Sequence, residues 1–325
     1  MTNNFDSLFK DLDSENDFSI KKPFLAHYSS IANIENIISS KEIWLSNPLL
    51  MNDIEELRYG LVEAKDRFYN NNAIKKTCKN NDEYQKLLEI FNQNFDAFES
   101  NNAIDTYVFC LSNYNEEKNK DGLLSMWRGY GADGSGAAII FDTSKIDANE
   151  SSPFVFRKVD YLTREERIVK IDQKFDEFSD ILKNNAFSDK ELHEGVFYLF
   201  DRILLLSLFT KHRGFAEEQE WRIVYIKHRD IQNTYEKYCG YEIKNQKHIE
   251  PKLKLPIKPL TEYDSKDFSL EKIIDKIILG PSISQEMTLL VVKRMLEQHK
   301  MTQLRNRVFF SDIPYRPILF LIFYY

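Results

Sequence analysis

Five of the ten glycines in the chain fall within fifteen residues, at positions Gly122, Gly129, Gly131, Gly134 and Gly136. Glycine loses more backbone freedom on ordering than any other residue and populates positive φ readily, so such a cluster continues neither a helix nor a strand. On either side lie short β-rich runs, residues 106–111 (TYVFCL) and 136–141 (GAAIIF). The fold must therefore accommodate two strands joined through a shaped loop that also carries Trp127, Arg128 and Tyr130. A loop of this kind is suited to presenting main-chain amides to a ligand. It has no G-K-[ST] of a Walker loop and does not present the G-x-G-x-x-G fingerprint directly after a strand, which disfavours both familiar phosphate-binding routes.

The remaining pattern alternates between periods. Residues 24–28 (FLAHY) read as a buried strand ending near His27, and Ser29-Ser30 before Ile31, Ile34, Ile37 and Ile38 reads as a capped helix. Trp44-Leu45-Ser46 reads as a strand running into the turn Asn47-Pro48, after which Met51-Asn52-Asp53 caps another helix. Residues 61–103 predict one or two surface helices. Residues 153–161 predict a strand, and 164–210 are mostly helical, with Leu192, Val196, Phe200, Ile203 and Leu204 marking a buried helix. Lys211-His212-Arg213-Gly214-Phe215 breaks that helix. Glu217, Glu218 and Glu220 then lead into the strand Trp221-Arg222-Ile223-Val224-Tyr225-Ile226. A strand at 273–279, a helix at 284–299 and a strand near 307–311 follow. The expected organisation is a loosely held acidic arm over residues 1–22 and one α+β domain over 23–316. Helical insertions fall at about 53–103 and 164–210, and an apolar tail at 317–325 is either an added buried strand or a partner contact.

Composition narrows the function classes. The 44 Lys and Arg stand against 51 Asp and Glu, a net charge of −7, which argues against broad binding to a phosphate backbone. Cys78, Cys110 and Cys239 are odd in number and widely spaced, suggesting neither a disulfide framework nor a zinc ribbon, and hence a reducing compartment. The first residues have no apolar signal core, and no apolar run approaches the roughly 18 residues of a membrane span, so the expectation is cytoplasmic, without a membrane partner.

Each conspicuous side chain has two readings. Trp44, Trp127 and Trp221 either line one pocket or pack in the core. His27 is a satisfied strand histidine or a site residue. Glu218 and Glu220, two apart, fall on one face if the segment is a strand, where their repulsion raises one pKa for acid–base work. His27, Asp53, Glu218 and Glu220 show no metal-ligand spacing, and no metal is expected. No G-x-S-x-G is present, and Cys110 reads as a small strand hydrophobe.

Taken in order, HYSS (27–30), WLSNPLLMNDIEE (44–56), FCLS (109–112), MWRGYGADGSGAAIIFD (126–142), KHRGFAEEQEWRIV (211–224), LGP (279–281) and SDIPYR (311–316) resemble a bacterial family labelled a domain of unknown function. More distantly, the order of pieces is similar to the ADP-ribosyltransferase superfamily. That resemblance implies a split, mixed or mostly antiparallel β-sheet, with NAD as substrate. Its H-G-[ST] motif is met here by His27 and Ser29 with Tyr28 in place of Gly. By resemblance His27 hydrogen-bonds a ribose hydroxyl of NAD, and Tyr130 or Tyr28 stacks on nicotinamide. Glu220 stabilises the oxocarbenium-like cation and Glu218 orients or deprotonates the acceptor. Ser29, Asn47, Ser112, Trp127, Arg128 and Arg222 complete the NAD-binding set, with Arg128, Arg213 or Arg222 on the pyrophosphate and Arg222 alternatively a structural partner of the glutamates. The implied function is a transferase, of the toxin or phage-defence kind, modifying a protein or nucleic-acid acceptor and kept in check by a neutralising partner. The alternatives are an NAD glycohydrolase and a non-catalytic nucleotide- or partner-binding module. The E-x-E spacing is also similar to that of arginine-modifying transferases, but it names no acceptor by itself.

Overall fold

The computed structural model describes residues 4–13, 21–51, 54–100, 102–146, 152–244, 248–260, 268–281 and 285–315. Its strands, in chain order, are β1 (Phe24–Ser29), β2 (Glu42–Ser46), β3 (Thr106–Tyr114), β4 (Ala137–Asp142), β5 (Phe154–Lys158) and β6 (Asp160–Leu162). β7 (Thr210–His212), β8 (Glu220–Ile226), β9 (Cys239–Lys244), β10 (His248–Pro256), β11 (Ile274–Leu279) and β12 (Val308–Phe310) follow. All but β6 and β7, which pair with each other, belong to one sheet. Its pairings are antiparallel except for β11 with β12. With helices on both sides the architecture is α+β.

The long strand β3 organises that sheet. One of its edges is taken along residues 106–112 by β8, with Thr106 opposite Ile226 and Ser112 opposite Glu220. Its other edge is shared: β2 meets it at Val108, and β1 joins from Ser112 to Tyr114. Two strands approaching one edge from opposite ends leave residues 109–111 unpaired there, and the sheet splits at that point. One wing continues β1-β4-β11-β12 and the other β2-β10-β9.

Apolar periodicity assigns the two faces. Against one face pack the helices Ile54–Tyr69, Asn81–Ser100, Arg164–Asn184 and Asp189–Leu208, whose Phe68, Phe91, Phe175, Phe178, Leu199 and Ile203 form a Phe-rich core with Val108 and Val224. On the other face Ile34 and Ile38 of helix Ile31–Ser40 and Leu296 of helix Gln285–Gln298 meet Leu25, Ile139 and Ile277. Helix starts follow the expected chemistry: Ser30 Oγ accepts from Asn33 N, and Thr163 and Ser188 each close a capping box with the glutamate three positions on.

Three readings change. Residues 4–13 are no loose arm, since Phe5 and Leu8 are inserted into the helical core and Asp11 pairs with Arg202 and Lys174. The region read as surface helices holds Ile54–Tyr69, Asn72–Thr77 and Asn81–Ser100, each with a buried face. The stretch 153–161 is two strands in different sheets, β5 and β6. Residues 14–20, Asp53 and the tail 317–325 lie outside the described residues. Among the described residues no helix is long and apolar enough to cross a membrane.

Candidate functional site

The split in the sheet opens into a cavity of about 290 Å³, whose walls come from β1, β2, β3, the glycine-rich loop, β7 and the turn into β8. That volume lies at the lower end of the roughly 300–1,000 Å³ usual for small-molecule sites. Of the residues singled out in the sequence, His27, Tyr28, Ser112, Tyr130, Glu218 and Glu220 line it, together with Trp44.

His27 follows the last β1 residue paired with β3, Ala26 opposite Ser112, and is itself paired on the other edge with Ile139 of β4, which places it beside the unpaired stretch of β3. Its Nδ1 lies 3.2 Å from the Cys110 carbonyl oxygen and its ring stacks on Phe109 at 4.5 Å. A carbonyl only accepts, so Nδ1 carries the proton and Nε2 is the acceptor nitrogen. Burial lowers the pKa, outweighing the hydrogen bond to Cys110 that works the other way, and the ring is neutral at pH 7.

Glu218 and Glu220 meet by a route other than one strand face. Glu218 ends a 3₁₀ turn, Arg213–Glu218, and only Glu220 begins β8; between them Gln219 takes a left-handed conformation with φ 45°. The reversal folds the two carboxylates around Lys211, whose Nζ donates to Glu218 Oε2 at 2.6 Å and to Glu220 Oε2 at 3.3 Å. Arg222, two residues along β8, grips Glu220 bidentately, Nε to Oε1 at 2.6 Å and Nη2 to Oε2 at 3.0 Å. The Glu220 main-chain N–H donates to Tyr161 Oη at 2.7 Å. Burial works against the Glu220 charge, but Arg222 first, then Lys211, hold its pKa below the ordinary carboxylate range. The expectation that mutual repulsion raises one pKa is thus corrected at Glu220, because the intervening cations dominate. Glu218 is the more accessible of the two and accepts from Tyr130 Oη at 3.0 Å, while Ser112 Oγ donates to its carbonyl at 2.6 Å.

The tyrosines separate cleanly. Tyr28 is buried, edge-on to Trp127, and its Oη accepts from Leu123 N at 3.0 Å, with burial pushing its pKa up to about 12. Tyr130 is 42% exposed and lines the cavity.

Other expected ligand contacts are structural ties. Asn47 is buried, donating from Nδ2 to the carbonyls of Ala103 and Thr106 at 2.6 and 3.0 Å and accepting from Leu49 N. Ser29 Oγ accepts from Asn33 Nδ2. Trp127 and Trp221 are core residues, so of the three tryptophans only Trp44 faces the cavity. Arg222 is committed to Glu220 and the Leu208 carbonyl, Arg213 to Glu166, and Arg128 lies outside near Tyr315. Among the described residues no three His, Cys, Asp or Glu side chains gather as a metal site.

The glycine-rich loop turns inward. The amides of Gly131, Gly134 and Gly136 bond to carbonyls of Met126, Trp127 and Gly131 within the loop, so they are not presented to a ligand. Gly122 adopts φ 79°, and a Cβ there would lie 2.7 Å from Trp127 Nε1, while one on Gly136 would run into the Ser29 carbonyl. The glycines pack the loop onto Trp127 and thereby fix Tyr130 at the rim.

Residues 126–223 match the family model described as Protein of unknown function (DUF2971). The DUF2971 match spans the loop bearing Tyr130 and the segment from Lys211 to Arg222, and leaves out His27. No curated protein and no solved structure matches the chain.

Lys211 is the site residue that sequence reasoning passed over. It is 1% exposed at the centre of the carboxylate pair, with Phe215 packed against its ammonium at 4.7 Å. The signal lay in a lysine seven and nine residues before two glutamates across a helix break. Glu250 of β10 also lines the cavity, held by Lys252 at 3.2 Å.

Proposed function

We infer that the chain is an NAD-dependent ADP-ribosyltransferase acting through the cavity at the split of the sheet. The observation that carries the reading is the convergence there of His27, Tyr130 and the Glu218–Glu220 pair from three separate segments. The cavity's volume suits the nicotinamide riboside end of the dinucleotide, with the rest lying across its open mouth.

In this reading Tyr130 supplies a flat face for the nicotinamide ring, and His27 Nε2 accepts from a ribose hydroxyl. As the C–N glycosidic bond breaks, its electron pair leaves with nicotinamide, which departs neutral, and positive charge grows on the ribose. Glu220 is ionised and fixed, so its field favours that charge more in the transition state than in the substrate. The acceptor then attacks the anomeric carbon and gives its proton to Glu218. With water as the acceptor the same residues support a glycohydrolase.

A specific observation favours a second reading, the non-catalytic binding module: both Glu220 oxygens are already engaged by Arg222 and Lys211. Mass analysis of free nicotinamide and ADP-ribose after incubation with NAD separates the two. The transferase reading expects turnover that falls about 10²–10³-fold in Glu220→Gln, the usual cost of losing one electrostatic stabiliser, with NAD affinity retained and weakened by His27→Ala. NAD binding without nicotinamide release in the wild type supports the module, and no binding at millimolar NAD sinks both nucleotide readings.

A further inference from the structure

Lys211 is 1% exposed, and a lysine almost never occupies such a position without a partner. Its partners are the two carboxylates of the cavity, at 2.6 and 3.3 Å, and the Phe215 ring. It reaches them from β7, in a segment separated from them by the 3₁₀ turn. We propose that Lys211 is the positioning residue of this site, a buried counter-cation that holds the Glu218 and Glu220 carboxylates side by side and aims Glu218 at Tyr130.

The geometry distinguishes Lys211 from the other cation present. Arg222 is consumed by both oxygens of Glu220 and by the Leu208 carbonyl. Glu218 is bonded to Lys211 through Oε2 and to the neutral Tyr130 hydroxyl through Oε1. Removing the ammonium would therefore leave Glu218 without its charge partner and close to a second carboxylate, an arrangement in which like charges disfavour ionising both. Seven other groups define the electrostatics of the pair or share its cavity: Arg222 on β8, Tyr161 on β6, Cys110 on β3, His27 and Tyr28 on β1, Tyr130 on the loop and Glu250 on β10. Of these only Arg222 carries positive charge at neutral pH. Tyr161 is pushed further from ionisation, chiefly by burial, and His27 is held neutral by burial.

The purpose of this device rests on the transferase reading, since an ionised pair stabilises a developing ribosyl cation; its electrostatics do not. The test uses the full chain with ¹³C-labelled glutamate side chains. Carboxyl resonances are assigned by loss in Glu218→Gln and Glu220→Gln, then titrated in wild type, Lys211→Met and Lys211→Arg. In Lys211→Met one carboxyl of the pair should titrate about one unit or more higher, and Lys211→Arg should restore the wild-type curve. Unchanged titration in a folded Lys211→Met protein would overturn the proposal. If that variant does not fold, Lys211→Met combined with Glu218→Gln should fold, because the repulsion is then gone, and failure of the double variant to fold would equally overturn it. The NAD turnover assay is read separately: shifted titrations without nicotinamide release leave Lys211 as the positioning residue of a non-catalytic pocket, whereas release with unshifted titrations keeps the enzyme and removes the role of Lys211.

Discussion

Two clusters in this protein use nearly the same ingredients, a buried lysine, a buried arginine and two carboxylates. In the helical layer Lys174 and Arg202 hold Asp11, with Glu177 also on Lys174; at the cavity Lys211 and Arg222 hold Glu218 and Glu220. The difference lies in where the anions sit. Asp11 and Glu177 are 47% and 44% exposed, whereas Glu218 and Glu220 are 14% and 6% exposed. The first cluster points its carboxylates at water and ties an N-terminal turn onto two helices. The second keeps them out of water and turns them toward a cavity, where a fixed negative charge acts strongly on a ligand. Composition cannot distinguish a clasp from a site; solvent access of the anions does.

Arginine removal should break the comparison most visibly. Arg222→Met removes the bidentate partner of a buried Glu220, leaving only the longer contact to Lys211, and should cost about 3–5 kcal/mol in urea unfolding. Arg202→Met leaves Asp11 half-exposed to water and still paired with Lys174, and should cost only about 1 kcal/mol. Equal losses would mean that both clusters are clasps. Next in size, Gly136→Ala should lose about 1–3 kcal/mol by forcing a methyl against the Ser29 carbonyl. A neutral result there would show that the loop under Tyr130 yields easily.

Asp11→Asn should have a smaller effect, and one that depends on pH. Burial opposes the Asp11 charge, but Arg202 and then Lys174 outweigh it and lower its pKa to about 2. A depressed carboxylate contributes stability above its unfolded pKa of about 3.9 and loses it as pH falls through the folded value. The wild type should therefore be the more stable at pH 7, by under about 1 kcal/mol after solvent screening, and the two proteins should converge near pH 2. An offset that persists there would assign the effect to packing. The smallest change is expected from Tyr130→Phe, within about 0.5 kcal/mol in stability, because its hydroxyl bond to Glu218 is exposed. Tyr130→Leu, which removes the flat ring, should weaken NAD binding if the rim stacks on nicotinamide, and unchanged affinity in calorimetry would remove that role.

How much of this was legible depended on the kind of interaction. The helix from Ile31 and the buried helix through Val196 and Ile203 follow from spacing and caps, because a periodic apolar face needs only some partner to pack on. The inward turn of the glycine-rich loop was hidden, since a sequence records that amides can approach something but not whether that something is a ligand or the loop's own carbonyls. Asn47 misled for the same reason: a polar side chain beside a turn serves a ligand or a backbone, and here it closes three carbonyls and one amide. The positive φ at Gln219 had no signature at all, because glutamine is not a residue that demands it.

The sequence by itself determined the α+β alternation, the strand that carries His27, the strand that Glu220 leads into, and the crowding of charge between Lys211 and Arg222, all of which are local patterns of period, cap and turn. Only the tertiary structure decided that β1 and β2 share one edge of β3 and leave a cavity between them, that Tyr130 rather than Tyr28 stands at its rim, and that Lys211 lies between the two glutamates. Those are outcomes of long-range strand pairing and burial, which depend on which surfaces meet and not on the order in which residues are written.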